Sequence, residues 1–134
     1  MAGELILITE DNEKNRKLMR EVLRVKGYQI LETETAEEGI RIAQESRPAL
    51  ILMDLQLPGM DGIAALGVLR ADSRTSQIPV IAVTASAMSH HRSQIMAAGF
   101  DGYQMKPLNV KEFLQVVRDV LDHGRTNGPG RASA

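Results

Sequence analysis

The sequence predicts an α/β fold in which a doubly wound sheet of five parallel strands is covered by helices on both faces. Short apolar runs alternate with longer segments of helical period, five of each along the chain. The runs Leu5 to Ile8 and Ala49 to Met53 lack polar alternation, which is typical of strands buried on both faces. Strands that alternate with helices pair in parallel through right-handed crossovers.

The predicted strands are separated by segments long enough for a crossover helix. The five strands are predicted at residues 5–8, 28–31, 49–53, 78–83 and 102–105. The strand at 28–31 is short and is expected at an edge of the sheet. Apolar residues recur at helical spacing in the first helix, and in the last helix they line the predicted buried side. These residues are Leu18, Val22, Leu23 and Val25 in the first helix, and Val110, Phe113, Leu114, Val117, Val120 and Leu121 in the last.

Capping residues mark the ends of the predicted helices. Asn12 precedes the first helix, and Gly27 ends it because glycine adopts the left-handed conformation without steric cost. The run Thr35-Ala36-Glu37-Glu38 is a capping box that opens the second helix, which Pro48 ends. The third, fourth and fifth helices are expected to begin at Asp61, Met88 and Asn109. Asp61 is interpreted as an N-cap and not as a reacting group.

Composition excludes several classes of protein. A length of 134 residues suits one domain, expected over residues 1–123, and residues 124–134 are expected to form a disordered tail or linker. The 16 basic and 17 acidic side chains leave no positive excess for binding a nucleic-acid backbone. Without cysteine there is no disulfide, thiolate nucleophile or cysteine zinc site. Apolar runs are too short for a signal peptide or membrane helix, so a cytoplasmic location is expected.

Polar residues follow four of the five predicted strands. Glu10 and Asp11 come after the first strand, Asp54 ends the third, Thr84 ends the fourth and Lys106 follows the fifth. Ligands of open α/β sheets bind at the carboxyl ends of the strands, where these residues are expected to meet. Each residue type binds metal, phosphate or both.

The residue types indicate Mg²⁺-dependent phosphoryl transfer. Three carboxylates crowded at one rim repel one another and lose hydration, and a hard divalent cation relieves this repulsion. Asp54, a short side chain on a rigid strand, is the expected nucleophile and would become an acyl phosphate. Lys106 and Thr84 would neutralise the phosphoryl oxygens. Asp11 is the better direct metal ligand, and Glu10 is expected to act through water.

Four motifs give the chain a family resemblance. They occupy residues 8–12 (ITEDN), 52–62 (LMDLQLPGMDG), 83–85 (VTA) and 106–107 (KP). In this order they resemble the receiver domain of two-component response regulators over residues 4 to 123. The chain is most similar to stand-alone receivers of the DivK type and to receivers of hybrid kinases. The resemblance implies a CheY-like, or flavodoxin-like, (βα)5 fold with strand order 2-1-3-4-5.

The resemblance also implies a role for each site residue. Asp54 would accept phosphate from a histidine kinase or phosphotransfer protein. Mg²⁺, or Mn²⁺ in its place, would bind Asp11, Asp54 and the Gln56 carbonyl, with Glu10 nearby. Thr84 and Lys106 would contact the phosphoryl group, and Tyr103 would move inward as the switch residue. The face of helix four, strand five and helix five would then bind a downstream protein, without nucleic acid or membrane. A cis Lys106–Pro107 bond is also expected.

Three other interpretations remain open at this stage. The chain could be a receiver fragment of a hybrid histidine kinase. A dehalogenase-like phosphatase also uses an Asp nucleophile, but that class needs a second Asp two residues later, where this chain has Gln56. A flavodoxin-like cofactor binder shares the fold, yet Glu10 and Asp11 would repel the phosphate of a flavin.

Overall fold

The computed structural model describes residues 3–85 and 89–124, and within them it contains five helices and a single five-stranded parallel sheet. The strand order is β2-β1-β3-β4-β5, as predicted. The strands are β1 (Leu5–Thr9), β2 (Gln29–Thr33), β3 (Leu50–Asp54), β4 (Val80–Thr84) and β5 (Gly102–Met105). The helices are α1 (Glu13–Val25), α2 (Ala36–Ser46), α3 (Gly62–Ala71), α4 (Ser89–Ala97) and α5 (Val110–His123). Met88, the predicted start of α4, lies outside the described residues.

Helices cover both faces of the sheet, so the core consists of two layers. Successive residues of β3 point to opposite faces: Leu52 packs with the layer under α1 and α5, and Met53 packs with the layer under α2, α3 and α4. Met19 and Phe113 anchor the first layer, and Phe100 fills the second. This two-sided burial explains why the central strands are apolar without alternation.

The predicted N-caps are present. The side chains of Asn12, Thr35, Asp61 and Asn109 each accept a hydrogen bond from the backbone N–H three residues later. Gly27 follows α1 with a φ of 92°, the left-handed conformation expected there. The four N-caps fix where α1, α2, α3 and α5 leave the carboxyl edge of the sheet.

The structure corrects several details of the prediction. The second strand begins at Gln29 and not at Tyr28, because the Tyr28 N–H donates to the Leu23 carbonyl and closes the end of α1. Val25, the last residue of α1, is 85% exposed, and Val110, the first residue of α5, is 40% exposed. Both lie at helix ends and belong to neither layer of the core. No helix in the described part of the chain is long and apolar enough to cross a membrane.

Candidate functional site

The candidate site lies at the carboxyl edge of the sheet, where four strands end side by side. Beyond β1, the Glu10 N–H continues the ladder by donating to the Thr33 carbonyl at 3.0 Å. Beyond β5, the Lys106 N–H donates to the Thr84 carbonyl at 2.7 Å. Backbone pairing therefore sets the positions of Glu10, Thr84 and Lys106, and Asp54 ends β3 between them.

Three carboxylates gather at this edge, as the sequence predicted. Glu10, Asp11 and Asp54 each offer one oxygen, and these oxygens lie within 4.8 Å of one another. The side chains of Glu10 and Asp54 are buried, whereas Asp11 is exposed. The expectation that all three lose hydration is therefore wrong for Asp11, which lies in the turn just before the N-cap of α1.

Lys106 forms ion pairs with both buried carboxylates. Its Nζ lies 3.0 Å from Glu10 Oε1 and 3.1 Å from Asp54 Oδ2. Burial works against the charge of Lys106, but its hydrogen bonds and charge pairing with Glu10 and Asp54 outweigh burial and raise its pKa. The lysine therefore stays cationic beside Asp54 at neutral pH.

Glu10 is a strongly perturbed carboxyl group. Burial raises its pKa from 4.5 to about 7. The hydrogen bond from Lys106 lowers this pKa, whereas the hydrogen bond and negative charge of Asp54 raise it. One lysine does not offset the crowded negative charge, so Glu10 holds its proton to higher pH than an ordinary glutamate.

Both carboxylate oxygens of Asp54 have a fixed partner. Oδ1 accepts a hydrogen bond from the Gln56 backbone N–H at 3.0 Å, and Oδ2 accepts one from Lys106 at 3.1 Å. The start of α3 packs closely behind this residue. A Cβ at Gly62 would lie 2.8 Å from the Asp54 carbonyl oxygen, a contact too short for any residue but glycine. Asp54 is thus held in one orientation at the end of a buried strand.

The donor set of the acidic cluster fits a hard cation such as Mg²⁺. All of its side-chain donors are carboxylate oxygens, the ligands that Mg²⁺ prefers. The buried Oε1 of Glu10 lies near Lys106 but accepts no well-aligned hydrogen bond within the described residues. A buried carboxylate oxygen without a well-aligned hydrogen bond favours the binding of an additional cation in the cluster. The Gln56 carbonyl remains a predicted ligand.

Thr84 and Tyr103 belong to the adjacent strands β4 and β5. Thr84 is buried at the end of β4. Tyr103 lies in β5 opposite Ala82 and is half-buried against the core layer under α2, α3 and α4. The Lys106–Pro107 peptide bond is cis, as predicted.

Arg16 also contacts the site, although the sequence did not predict it. The Arg16 guanidinium donates to the Glu10 carbonyl oxygen at 2.9 Å and pairs with Glu32 of β2 at 3.2 Å. An arginine one turn into the predicted first helix was the only signal in the sequence, and the partners of Arg16 depend on how α1 lies against β2.

The fold and the site together define an α/β domain with an acidic cluster and a lysine at the carboxyl edge of its sheet, and comparison with known proteins identifies its family. The family model of the response regulator receiver domain matches residues 6–118. The chain belongs to this family.

Its relatives include both regulators and kinase receivers. The polar-differentiation response regulator DivK of Brucella anthropi is 40% identical over 116 residues, 87% of this chain and 94% of that protein. The receiver domain of a sensor histidine kinase of Pseudomonas aeruginosa is 32% identical, with a TM-score of 0.82 over 90% of this chain and 98% of that one. That structure has a magnesium ion coordinated in the active-site cleft.

A more distant structure supports the fold alone. The chemotaxis response regulator CheY4 of Vibrio cholerae is 23% identical, with a TM-score of 0.82 over 88% of this chain and 98% of that one. Taken together, these matches make the protein a receiver domain of two-component signalling. They support neither the phosphatase nor the flavodoxin-like alternative.

Proposed function

We propose that Asp54 is the phosphoacceptor of this receiver and that its phosphorylation requires Mg²⁺. The observation that carries the proposal is the contact of 3.1 Å between Lys106 Nζ and the buried Asp54 Oδ2 inside the acidic cluster. A lysine beside an oriented carboxylate places a fixed positive charge where phosphoryl charge must be neutralised. Glu10 and Asp11 are poorer candidates: the raised pKa of Glu10, about 7, makes it a weaker nucleophile at neutral pH, and Asp11 is exposed in the turn after β1.

The residues of the chain account for each requirement of the transfer. An Asp54 carboxylate oxygen attacks the phosphorus of a phosphohistidine, the N–P bond breaks, and the leaving imidazole keeps the electron pair and takes up a proton. Asp54 needs no general base because its carboxylate is the attacking group. Lys106 and the Thr84 hydroxyl would stabilise the phosphoryl oxygens.

The acidic cluster would hold the metal ion. Glu10, Asp11, Asp54 and the Gln56 carbonyl are the proposed ligands, with Glu10 acting through water. Bound Mg²⁺, or Mn²⁺, supplies positive charge that neutralises the phosphoryl oxygens during transfer. Asp54 is therefore both a ligand and the nucleophile.

The proposed output is a change in protein binding. Thr84 and Tyr103 belong to adjacent strands, so movement of Thr84 toward a phosphoryl group would leave room for Tyr103 to turn inward. The surface of α4, β5 and α5 would then change its affinity for a downstream protein. A histidine kinase or phosphotransfer protein would act upstream, and we place this exchange in the cytoplasm. Residues 1–123 would form the receiver, and the tail or linker expected at residues 124–134 lies outside the described residues except for Gly124.

The proposed reactions are phosphorylation and dephosphorylation of the chain's own Asp54. Asp54 would be phosphorylated and slowly lose its phosphate to water, and the chain would not turn over other substrates. Gln56 stands where a dehalogenase-like phosphatase needs its acid. Small phosphate esters should therefore not be hydrolysed catalytically.

The experiment is intact mass spectrometry after incubation with a small phosphodonor and Mg²⁺. We expect one phosphoryl group on the unaltered chain, and none on Asp54→Asn or when a chelator is present. The matched control is Asp61→Asn, because Asp61 is an exposed N-cap outside the cluster and should leave labelling intact. Equal labelling of Asp54→Asn, or labelling that does not need Mg²⁺, would overturn the proposal.

A further inference from the structure

The side chain of Asp11 does little to fix the turn in which this residue lies. Asp11 is exposed, and its carboxylate has no hydrogen bond or ion pair among the described groups, which leave out the side chains of residues 86–92. The direction of this ligand therefore depends on the backbone between β1 and α1. A metal ligand that nothing orients loses affinity, since the ordering must then occur on binding.

One side chain from outside the cluster contacts this backbone directly at Glu10. Arg16 donates to the Glu10 carbonyl oxygen at 2.9 Å. Peptide groups are planar, so fixing this carbonyl fixes the plane from which the Cα of Asp11 extends. The Glu10 N–H is already bound to the Thr33 carbonyl, and the Arg16 contact restrains the opposite side of the same residue.

Arg16 is itself anchored on the edge strand. Its Nε lies 3.2 Å from Glu32 Oε1, and Glu32 also receives a hydrogen bond from Arg20 at 2.7 Å. The Arg16 side chain is only 15% exposed, so the contact is shielded from solvent. Thus β2, the one strand without a residue in the site, contributes through Glu32.

We propose that Arg16 is a positioning residue for Mg²⁺ binding, which it supports by holding the Glu10 carbonyl and thereby orienting Asp11. This inference rests on the proposed function, because it assumes that the acidic cluster binds the metal. Arginine suits the position because two of its donors serve two acceptors at once, Glu10 and Glu32. A lysine has all its donors on one nitrogen, which cannot occupy the positions of both the Nη1 and the Nε of Arg16, so it would not hold these two acceptors in the same geometry.

Arg20 provides a matched control. It shares the Glu32 partner and the helix, but no contact with Glu10 is found among the described residues. Arg16→Gln and Arg20→Gln each remove one positive charge and one contact to Glu32. Only Arg16→Gln removes the contact to the metal-binding turn.

The test is calorimetric titration of Mg²⁺ into the full chain and its variants, with urea unfolding of each as a measure of stability. We expect Arg16→Gln to raise the dissociation constant for Mg²⁺ about tenfold, the typical effect of losing an outer contact of a metal site. Arg20→Gln should leave the dissociation constant for Mg²⁺ within about twofold of that of the unaltered chain, whatever the unfolding free energy of this variant. Arg16→Lys should give an intermediate value.

Glu32→Gln keeps the test decisive if Arg16→Gln folds poorly. It leaves Arg16 in place but weakens its anchor, so we expect a several-fold weaker affinity for Mg²⁺. An unchanged affinity for Mg²⁺ in Arg16→Gln, or an equal loss of affinity in Arg20→Gln, would overturn this inference and leave the proposed function standing. If the unaltered chain bound no Mg²⁺, the proposed function would fail together with the inference.

Discussion

Replacing Lys106 with methionine is expected to slow phosphoryl transfer to Asp54 by about 100-fold or more, because a preorganised charge at the reacting group is lost. Lys106 Nζ is the cation nearest Asp54 Oδ2, at 3.1 Å, within the described residues. Methionine keeps most of the length and apolar character of the stem, so packing around the side chain should survive. The rate of labelling by a small phosphodonor at saturating Mg²⁺ measures the effect.

Lys111→Met is the matched control for this substitution. It removes the same charge from an exposed position on α5, outside the acidic cluster, and should leave the labelling rate unchanged. Binding of Mg²⁺ should persist in Lys106→Met, because the three carboxylates remain. An undiminished rate in Lys106→Met would show that this lysine does not assist transfer.

Neutralising Glu10 is expected to stabilise the metal-free protein while weakening its response to Mg²⁺. Glu10→Gln keeps the shape of the side chain and removes a buried negative charge beside Asp54. We expect the unfolding free energy near pH 8 to rise by about 1 kcal/mol, which corresponds to a midpoint increase on the order of 5 °C. Added Mg²⁺ should then stabilise the unaltered chain more than the variant.

The pH dependence follows from the direction of the pKa shift. Glu10 has a pKa of about 7 in the folded chain, against an ordinary value of 4.5. Between these two pH values the folded state therefore holds a proton on Glu10 that the unfolded state has lost. This stabilising contribution is fully present below the ordinary pKa and is lost as the pH rises through the folded one.

Unfolding in urea with a chelator, at about pH 5 and about pH 8, measures that contribution. The advantage of Glu10→Gln over the unaltered chain should be small at the lower pH and larger at the higher pH. An advantage that does not change with pH would contradict the raised pKa of Glu10.

Much of the site was predictable because it follows from backbone topology. Parallel strands end at one edge, so a polar residue after each strand is enough to bring Glu10, Asp54, Thr84 and Lys106 together. The helix caps were predictable for a similar reason, since Asn12 acts on a backbone group only three residues away. Helix capping and strand order therefore determine this part of the structure.

Features that depend on side-chain packing were not predictable. The exposure of Asp11 beside the buried Glu10 depends on how the chain turns into α1. The contact of Arg16 with Glu32 joins α1 to β2, and the sequence does not show which side chains face across that gap. The exposed Val25 has the helical spacing of a core residue but lies at the end of α1 and belongs to neither layer of the core.

The central claim, that Asp54 is the residue phosphorylated, is tested most directly by locating the phosphoryl group in the chain. Borohydride reduction of the phosphorylated protein converts an aspartyl phosphate to homoserine, which tandem mass spectrometry of the digested peptides then locates. We predict homoserine at position 54 alone, formed only when Mg²⁺ was present during labelling. Modification at Asp11 or Asp61 in its place, or no modification, would contradict the account.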